Sequence, residues 1–237
     1  MPVRIVDRVL ETEGFEVDTV VGLGGTHAET VSGEGMMLSL KVLRDAYVSR
    51  TEAPGLVERF WRTTIADLPG SGCFHPTTEK HGPAFAVFCL DLLANCVKRS
   101  GHDAGLRSDI EAILTDLLRL DPNAHLPAWQ QVSDAAKGAL KVDVFTDNDG
   151  ESNAYGSSID RMFQLRRFFM TKDGRMGIAS QGTREGDNIV VVKNVHYPFL
   201  MRKLPSGRYR YLSLAYIDGI MQGESVNQIS FSRIEIE

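Results

Sequence analysis

The hydrophobic period of this chain changes twice: it is close to two at both ends and close to 3.6 through the middle. A strand-period face cannot be buried as a helix, nor the reverse, so the end segments have to pair as strands and the middle has to pack as helices. The first run sets Val3, Ile5 and Val9 against Phe15, Val17 and Val20, with Glu13-Gly14 as the expected turn of a β-hairpin over 1–25. Gly22-Leu23-Gly24-Gly25-Thr26 follows. It lacks the Lys-Ser/Thr of a phosphate loop and the third spaced glycine of a dinucleotide fingerprint, so it is expected to be a flexible strand-to-helix connection.

From Gly35 to about Leu140 the spacing is helical. Met37, Leu40, Val42, Leu43 and Tyr47 are read as one face, and Leu56, Phe60, Trp61, Thr64 and Ile65 as another, with Pro69-Gly70 as the expected stop. Ala84 to Arg99 is apolar nearly all round and predicts a central buried helix. Ser108 followed by Glu111 reads as a capping box for the next helix, and Pro127 opens another through Trp129 and Val132. Asp147 to Glu151 is expected to be a loop, and Ile159 to Leu165 a last short helix. Beyond Arg166 the period returns to two, with a hairpin through Lys172-Asp173-Gly174. Further strands are expected at 188–193, 197–202, 208–216 and 228–236. Short strands at this spacing predict a small barrel or curled sheet. The expected architecture is α+β: one domain over 1–237, whose N-terminal hairpin joins the C-terminal barrel-like part (166–237), with a helical layer (35–165) inserted between.

A net charge of −5 gives no basic footprint for nucleic acid. The most apolar stretch, Ala84 to Val97, is too short to span a membrane and carries Asp91. MPVRIVDRVL alternates like a strand, so no secretory leader is expected and the chain reads as cytoplasmic. Cys73, Cys89 and Cys96 lack metal or redox spacing, and the last two are expected to be buried and reduced. Cys73, His75, Glu79 and His81 form a string without a second ligand pair, so no metal is expected. There is no G-x-S-x-G elbow and no H-E-x-x-H, and no cofactor is implied. Arg166, Arg167, Arg202, Lys203, Arg208 and Arg210 alternate along strands and are read as a solvated sheet face.

The segment from Arg167 to Ser225 resembles the C-terminal signature of fungal heterokaryon-incompatibility (HET-domain) proteins. The matching positions are Arg167, Phe169, Thr171, Gly174, Gly177, Gly186, Asp187, Pro198, Phe199, Arg202, Tyr216, Gly219, Ile220, Met221, Gly223 and Glu224. Phe60-Trp61-Arg62-Thr63-Thr64-Ile65-Ala66-Asp67 is similar to a helix of that family, and Gly14 to Val20 to one of its strands. The anchors stand in the family's order. One departure is Ile217-Asp218, where the family has Val-His. The family's N-terminal HET domain, which resembles signalling and nucleotide-cleaving TIR domains, is not in these 237 residues, so that activity is not expected of them.

The resemblance implies two functions of different class. One is a cofactor-independent cyclase of the Diels–Alderase type, folding an apolar terpenoid or polyketide in fungal secondary metabolism. A pericyclic step needs a shaped apolar pocket and one donor aimed at a carbonyl, not a nucleophile or a metal. Phe60, Trp61, Phe168, Tyr197 and Arg202 would line such a pocket, and His196, Arg62, Tyr216 or Asp218 would supply the polar contact. The bland readings are a core tryptophan at Trp61, a structural ion pair at Arg62, an exposed loop histidine at His196 and a fold-holding Tyr216. Gly186-Asp187 is expected to be a turn whose carboxylate caps local amides. The cyclase is the leading expectation; the alternative is a non-enzymatic binding or regulatory module derived from a HET-domain protein, since most matched positions are turn and core residues. Oligomeric state is open on either reading.

Overall fold

The protein is described by a computed structural model covering residues 4–6, 9–67, 81–101, 103–140, 151–221 and 230–237. It is α+β, as expected, and its chain divides into two compact units, residues 1–23 with 166–237 and residues 24–165.

The first unit is built of strands: β1 (Arg4–Val6), β2 (Val9–Thr26), β3 (Arg166–Thr171), β4 (Met176–Ser180), β5 (Asn188–Val192), β6 (Phe199–Lys203), β7 (Tyr209–Leu214), β8 (Tyr216–Ile217) and β9 (Ser232–Ile236). Hydrogen bonding runs β5–β6–β7–β9–β2, and β2 pairs back onto β5, closing a ring. From β2 the sheet continues through β3 and β4 to β8. One strand serves both parts because β2 is 18 residues long and its register with β5 shifts between Glu16 and Asp18. Such a bulge bends a strand and raises its twist. β5 is buried on both faces, which is why it reads as a near-continuous apolar run, whereas in β6 only Leu200 and Met201 are buried. Ile189 and Leu200 pack with Val20, Phe169 and Ile217. Val190, Val192 and Met201 pack with Ile234 and Ile236.

The N-terminal hairpin exists, but its turn is not where the sequence predicts. Val6 pairs with Val9, and Glu13-Gly14 runs straight through β2. Gly14 is small for another reason: a Cβ there would sit 2.6 Å from Ile234 Cδ1 and 3.1 Å from Val191 O. The glycine-rich stretch is likewise strand, not a flexible link. A Cβ on Gly25 would meet the Gly35 backbone at 2.2 Å, and Gly25 N–H donates to Ser39 Oγ at 3.0 Å.

The second unit holds α1 (His27–Val31), α2 (Glu34–Tyr47), α3 (Leu56–Thr64), α4 (His81–Arg99), α5 (Ala104–Leu120), α6 (Trp129–Ala136) and α7 (Glu151–Phe163). α1 is too short to show a period and is opened by a capping box of Thr26 and Glu29. α5 starts earlier than Ser108 predicts, because Asp103 caps it by accepting from Leu106 N–H at 3.0 Å. α7 starts eight residues before the Ile159 expected for it. Tyr155 of α7 is wholly buried, its ring edge-on to Phe85 and Phe88 of α4 at 5.6 Å each. Its hydroxyl donates to Trp61 O at 3.2 Å and lies 2.9 Å from Thr64 Oγ1, which ties α7 to the end of α3. Pro69-Gly70 and Asp147 to Gly150 lie outside the described residues.

Candidate functional site

In the barrel unit, two buried carboxylates hold the turns. Asp18 follows the β2 bulge and is 9 % exposed. It accepts from Arg175 Nη1 at 2.8 Å and from Asp173 N–H at 3.4 Å, fastening the β3–β4 hairpin turn to β2. Gly174 completes that turn at φ +79°, a conformation that favours glycine. Asp187 is 1 % exposed. It accepts from Arg184 N–H at 2.8 Å, the local cap expected of Gly186-Asp187, and from Arg202 through Nε at 2.7 Å and Nη2 at 3.0 Å. Arg202 also donates to Gly182 O at 3.2 Å. A bidentate pair of this kind binds a loop to a strand with fixed geometry. The Asp187 carboxylate in turn holds the Arg202 guanidinium above its ordinary pKa.

A third cluster joins β2, β5, β6 and β7. Glu16 accepts from the Tyr209 hydroxyl, from Lys203 Nζ at 3.0 Å and from Asn188 Nδ2 at 3.0 Å. Partial burial pushes the Glu16 carboxyl up, but the donors from Tyr209 and Lys203 outweigh it and hold it below the usual carboxylate range. Burial and the Glu16 hydrogen bond raise the Tyr209 phenol. Of the basic residues read as a solvated sheet face, Arg202, Lys203 and Arg208 are partnered by Asp187, Glu16 and Glu235.

Tyr197, in the loop between β5 and β6, is 52 % exposed, and Tyr211 and Leu214 of β7 are 46 % and 48 % exposed. Phe199 is paired with Leu214 in the register, and its ring meets Tyr211 edge-on at 5.2 Å. Sequence reading singled out Tyr197 here and missed Tyr211 and Leu214, because half-exposed apolar residues on a strand look the same in sequence as buried ones.

The residues proposed from sequence fall in both units. Phe60, Trp61 and Arg62 belong to the helical unit, where Phe60 is 0 % and Trp61 2 % exposed. Arg62 donates to Glu58 at 2.9 Å and Asp67 at 2.9 Å, and its guanidinium lies 5.0 Å from the Trp61 ring. Burial works against its charge, yet the two carboxylates outweigh burial and raise its pKa. Phe168, His196, Tyr197, Arg202, Tyr216 and Asp218 belong to the barrel unit. Phe168 is wholly buried, His196 is exposed between β5 and β6, and Tyr216 and Asp218 are half-buried at β8. Asp218 N–H donates to Met176 O at 2.9 Å. Cys89 and Cys96 are free and buried, and burial pushes both thiols up. Among the described residues no group of three His, Cys, Asp or Glu side chains is placed to hold a metal. Cys73, His75, Glu79, Gly223 and Glu224 lie outside the described residues.

Residues 84–230 match the description of the Het-6 beta-barrel domain. The chain belongs to this family. The match starts within α4 and ends before β9, so β2 and β9, which close the ring, stand outside it. The family places the chain among heterokaryon-incompatibility-associated proteins, in line with the resemblance read from Arg167 onward. No curated protein and no solved structure matches the chain. Within this Het-6 barrel, Asp187, Arg202, Gly174 and Gly219 (φ +82°) are all positions of that signature. Among the described residues no helix is long and apolar enough to cross a membrane.

Proposed function

We propose that this Het-6 barrel protein is a non-enzymatic binding or regulatory module that engages a protein partner through exposed side chains of β7 and of the loop between β5 and β6. The observation that carries this reading is the employment of the signature's polar residues. Asp187 and Arg202 are spent on each other and on the turn between β4 and β5. Arg62, the cation of the helical anchor, is spent on Glu58 and Asp67. A signature used up in this way describes a scaffold, and function then lies in what the scaffold displays. What the barrel unit displays on β7 is Tyr211 and Leu214 beside a half-buried Phe199, with Tyr197 exposed in the loop before β6. Tyrosines anchored on rigid strands are frequent energetic centres of protein interfaces.

The test is cross-linked capture from an extract of the source organism, comparing the native chain with a Tyr211→Ala/Leu214→Ser variant. Surface changes of this kind shift stability by about 0.5 kcal/mol or less, so a matched unfolding curve separates lost binding from lost folding. The native chain is expected to capture a defined protein that the folded variant does not. Equal capture by both would sink the assignment of the surface.

A further inference from the structure

We propose that the helical unit carries a second binding site, for a small organic anion, in the groove where α4, α5 and α6 meet. The ligand class is a phosphate or carboxylate joined to a flat apolar ring. The groove has a volume of about 230 Å³ and is lined by Lys98, Arg107, Trp129, Ser133 and Lys137 among others, with no carboxylate in its lining. Three cations around one groove are unexpected in a chain with 31 acidic and 26 basic residues.

The ordinary role of such cations is to offset the carbonyls at a helix C-terminus. That accounts for part of the group. Arg107 Nη2 donates to Gly101 O at 2.6 Å, just past the end of α4. It does not account for Arg107 Nε, which is buried and meets no acceptor among the described residues. A guanidinium offers its donors as a fork matched to two oxygens of a phosphate or carboxylate, so a rotation of the Arg107 head toward the groove would give the unpaired Nε one of them. Lys98 forms no ion pair among the described residues, and Lys137 is 66 % exposed with its nearest carboxylate, Asp134, 4.0 Å away. Both charges are therefore available to an incoming anion. Trp129 supplies a half-buried ring as the apolar wall, and Ser133 a hydroxyl. At about 230 Å³ the groove is below the range of about 300–1,000 Å³ usual for drug-sized ligands, which limits the body to about one ring. The site lies wholly in the helical unit and stands or falls independently of the barrel surface proposed above.

The probe is phenyl phosphate, followed by tryptophan fluorescence at low salt. The chain has two tryptophans, and Trp61 is 2 % exposed, so a solvent-side quench reports Trp129. A saturable quench is expected, about tenfold tighter than with inorganic phosphate or phenol alone, and weakening as salt is added. Lys98→Gln and Lys137→Gln, both on helix surfaces, are each expected to weaken it about fivefold without altering the unfolding curve. Arg107→Lys keeps the charge but removes the Nε donor and is expected to weaken binding as well. The proposal is overturned by an unsaturable response, by phenol binding as tightly as phenyl phosphate, or by unchanged affinity in the Lys98→Gln/Lys137→Gln double variant.

Discussion

Asp187 and Arg62 show how two ion pairs of similar length come to differ in worth. Asp187 keeps 2 % of its side-chain surface exposed, so removing Arg202 leaves a carboxylate that neither water nor another cation reaches well. Arg62 is paired with Glu58 and Asp67, whose side chains are 49 % and 37 % exposed and which solvent can satisfy. Arg202→Met is accordingly predicted to cost about 3 kcal/mol. Arg62→Met is predicted to cost less than about 1 kcal/mol. Urea unfolding of both variants checks the order, and a larger loss at Arg62 would contradict it. Acid should act through the carboxylates that accept from lysine. The Glu13 carboxyl is lowered from 4.5 to about 2, the hydrogen bond from Lys193 being the largest of the causes, and Glu16 is also held low. A folded value below the unfolded one means the contribution is complete above the unfolded value and is lost as pH falls through the folded one. Stability is therefore predicted to decline between about pH 4.5 and 2, and Glu13→Gln/Glu16→Gln to flatten that limb. Denaturant midpoints measured against pH would show it; an unaltered limb would not fit. At this scale the sequence was legible where the partner is local. The turn at Gly186-Asp187 could be read because its cap, Arg184 N–H, is three residues away. The Arg202 partner, 15 residues off, and the Gly14 neighbour Ile234 could not, since a glycine for a turn and a glycine for a close approach look identical in sequence.

Among the elements, period and run length were enough to anticipate the strands after Arg166 and the apolar helix α4. Boundaries failed where several signals were available to the same chain. Ser108 and Glu111 satisfy a capping pattern, but Asp103 does the capping five residues earlier. α7 was read too short because its first turns, Glu151 to Ser158, are polar or small and the one aromatic among them, Tyr155, carries no period by itself. That residue fastens α7 to α3 and α4. Tyr155→Phe keeps the ring contacts and removes one hydroxyl, and Thr64 Oγ1 still donates to Trp61 O at 2.8 Å. The loss is therefore predicted at about 1 kcal/mol. Tyr155→Ala also opens a cavity among Phe85, Phe88 and Trp61, with a predicted loss of about 4 kcal/mol. Equal effects in a chemical unfolding assay would mean the hydroxyl, not the ring, dominates.

For the whole molecule, the governing fact is that β2 and β9, from opposite ends of the chain, are neighbours in the ring, with Leu10 paired to Ile236 and Gly14 to Ser232. Such closure waits on the last residues of the chain, and long-range pairing of this kind folds slowly. Removing Ser232–Ile236 is predicted to expose the apolar positions facing Ile234 and Ile236 and to abolish cooperative unfolding of the barrel unit. A truncated chain that still melted in one sharp transition would argue against a closed ring. The ring was foreseeable in kind, a barrel being one of the two forms expected of terminal strands bracketing a helical middle, but the bulge in β2 is not revealed by period alone. Function was less legible, because the residues that carry the family resemblance are those that hold the scaffold. The central claim, a binding module and not a cyclase, is tested most directly by comparing metabolites of the source organism with and without this gene. An unchanged profile is predicted. Accumulation of an uncyclised terpenoid or polyketide that the purified protein converts without added cofactor would contradict it and return His196, Arg62, Tyr216 and Asp218 to the role of catalytic candidates.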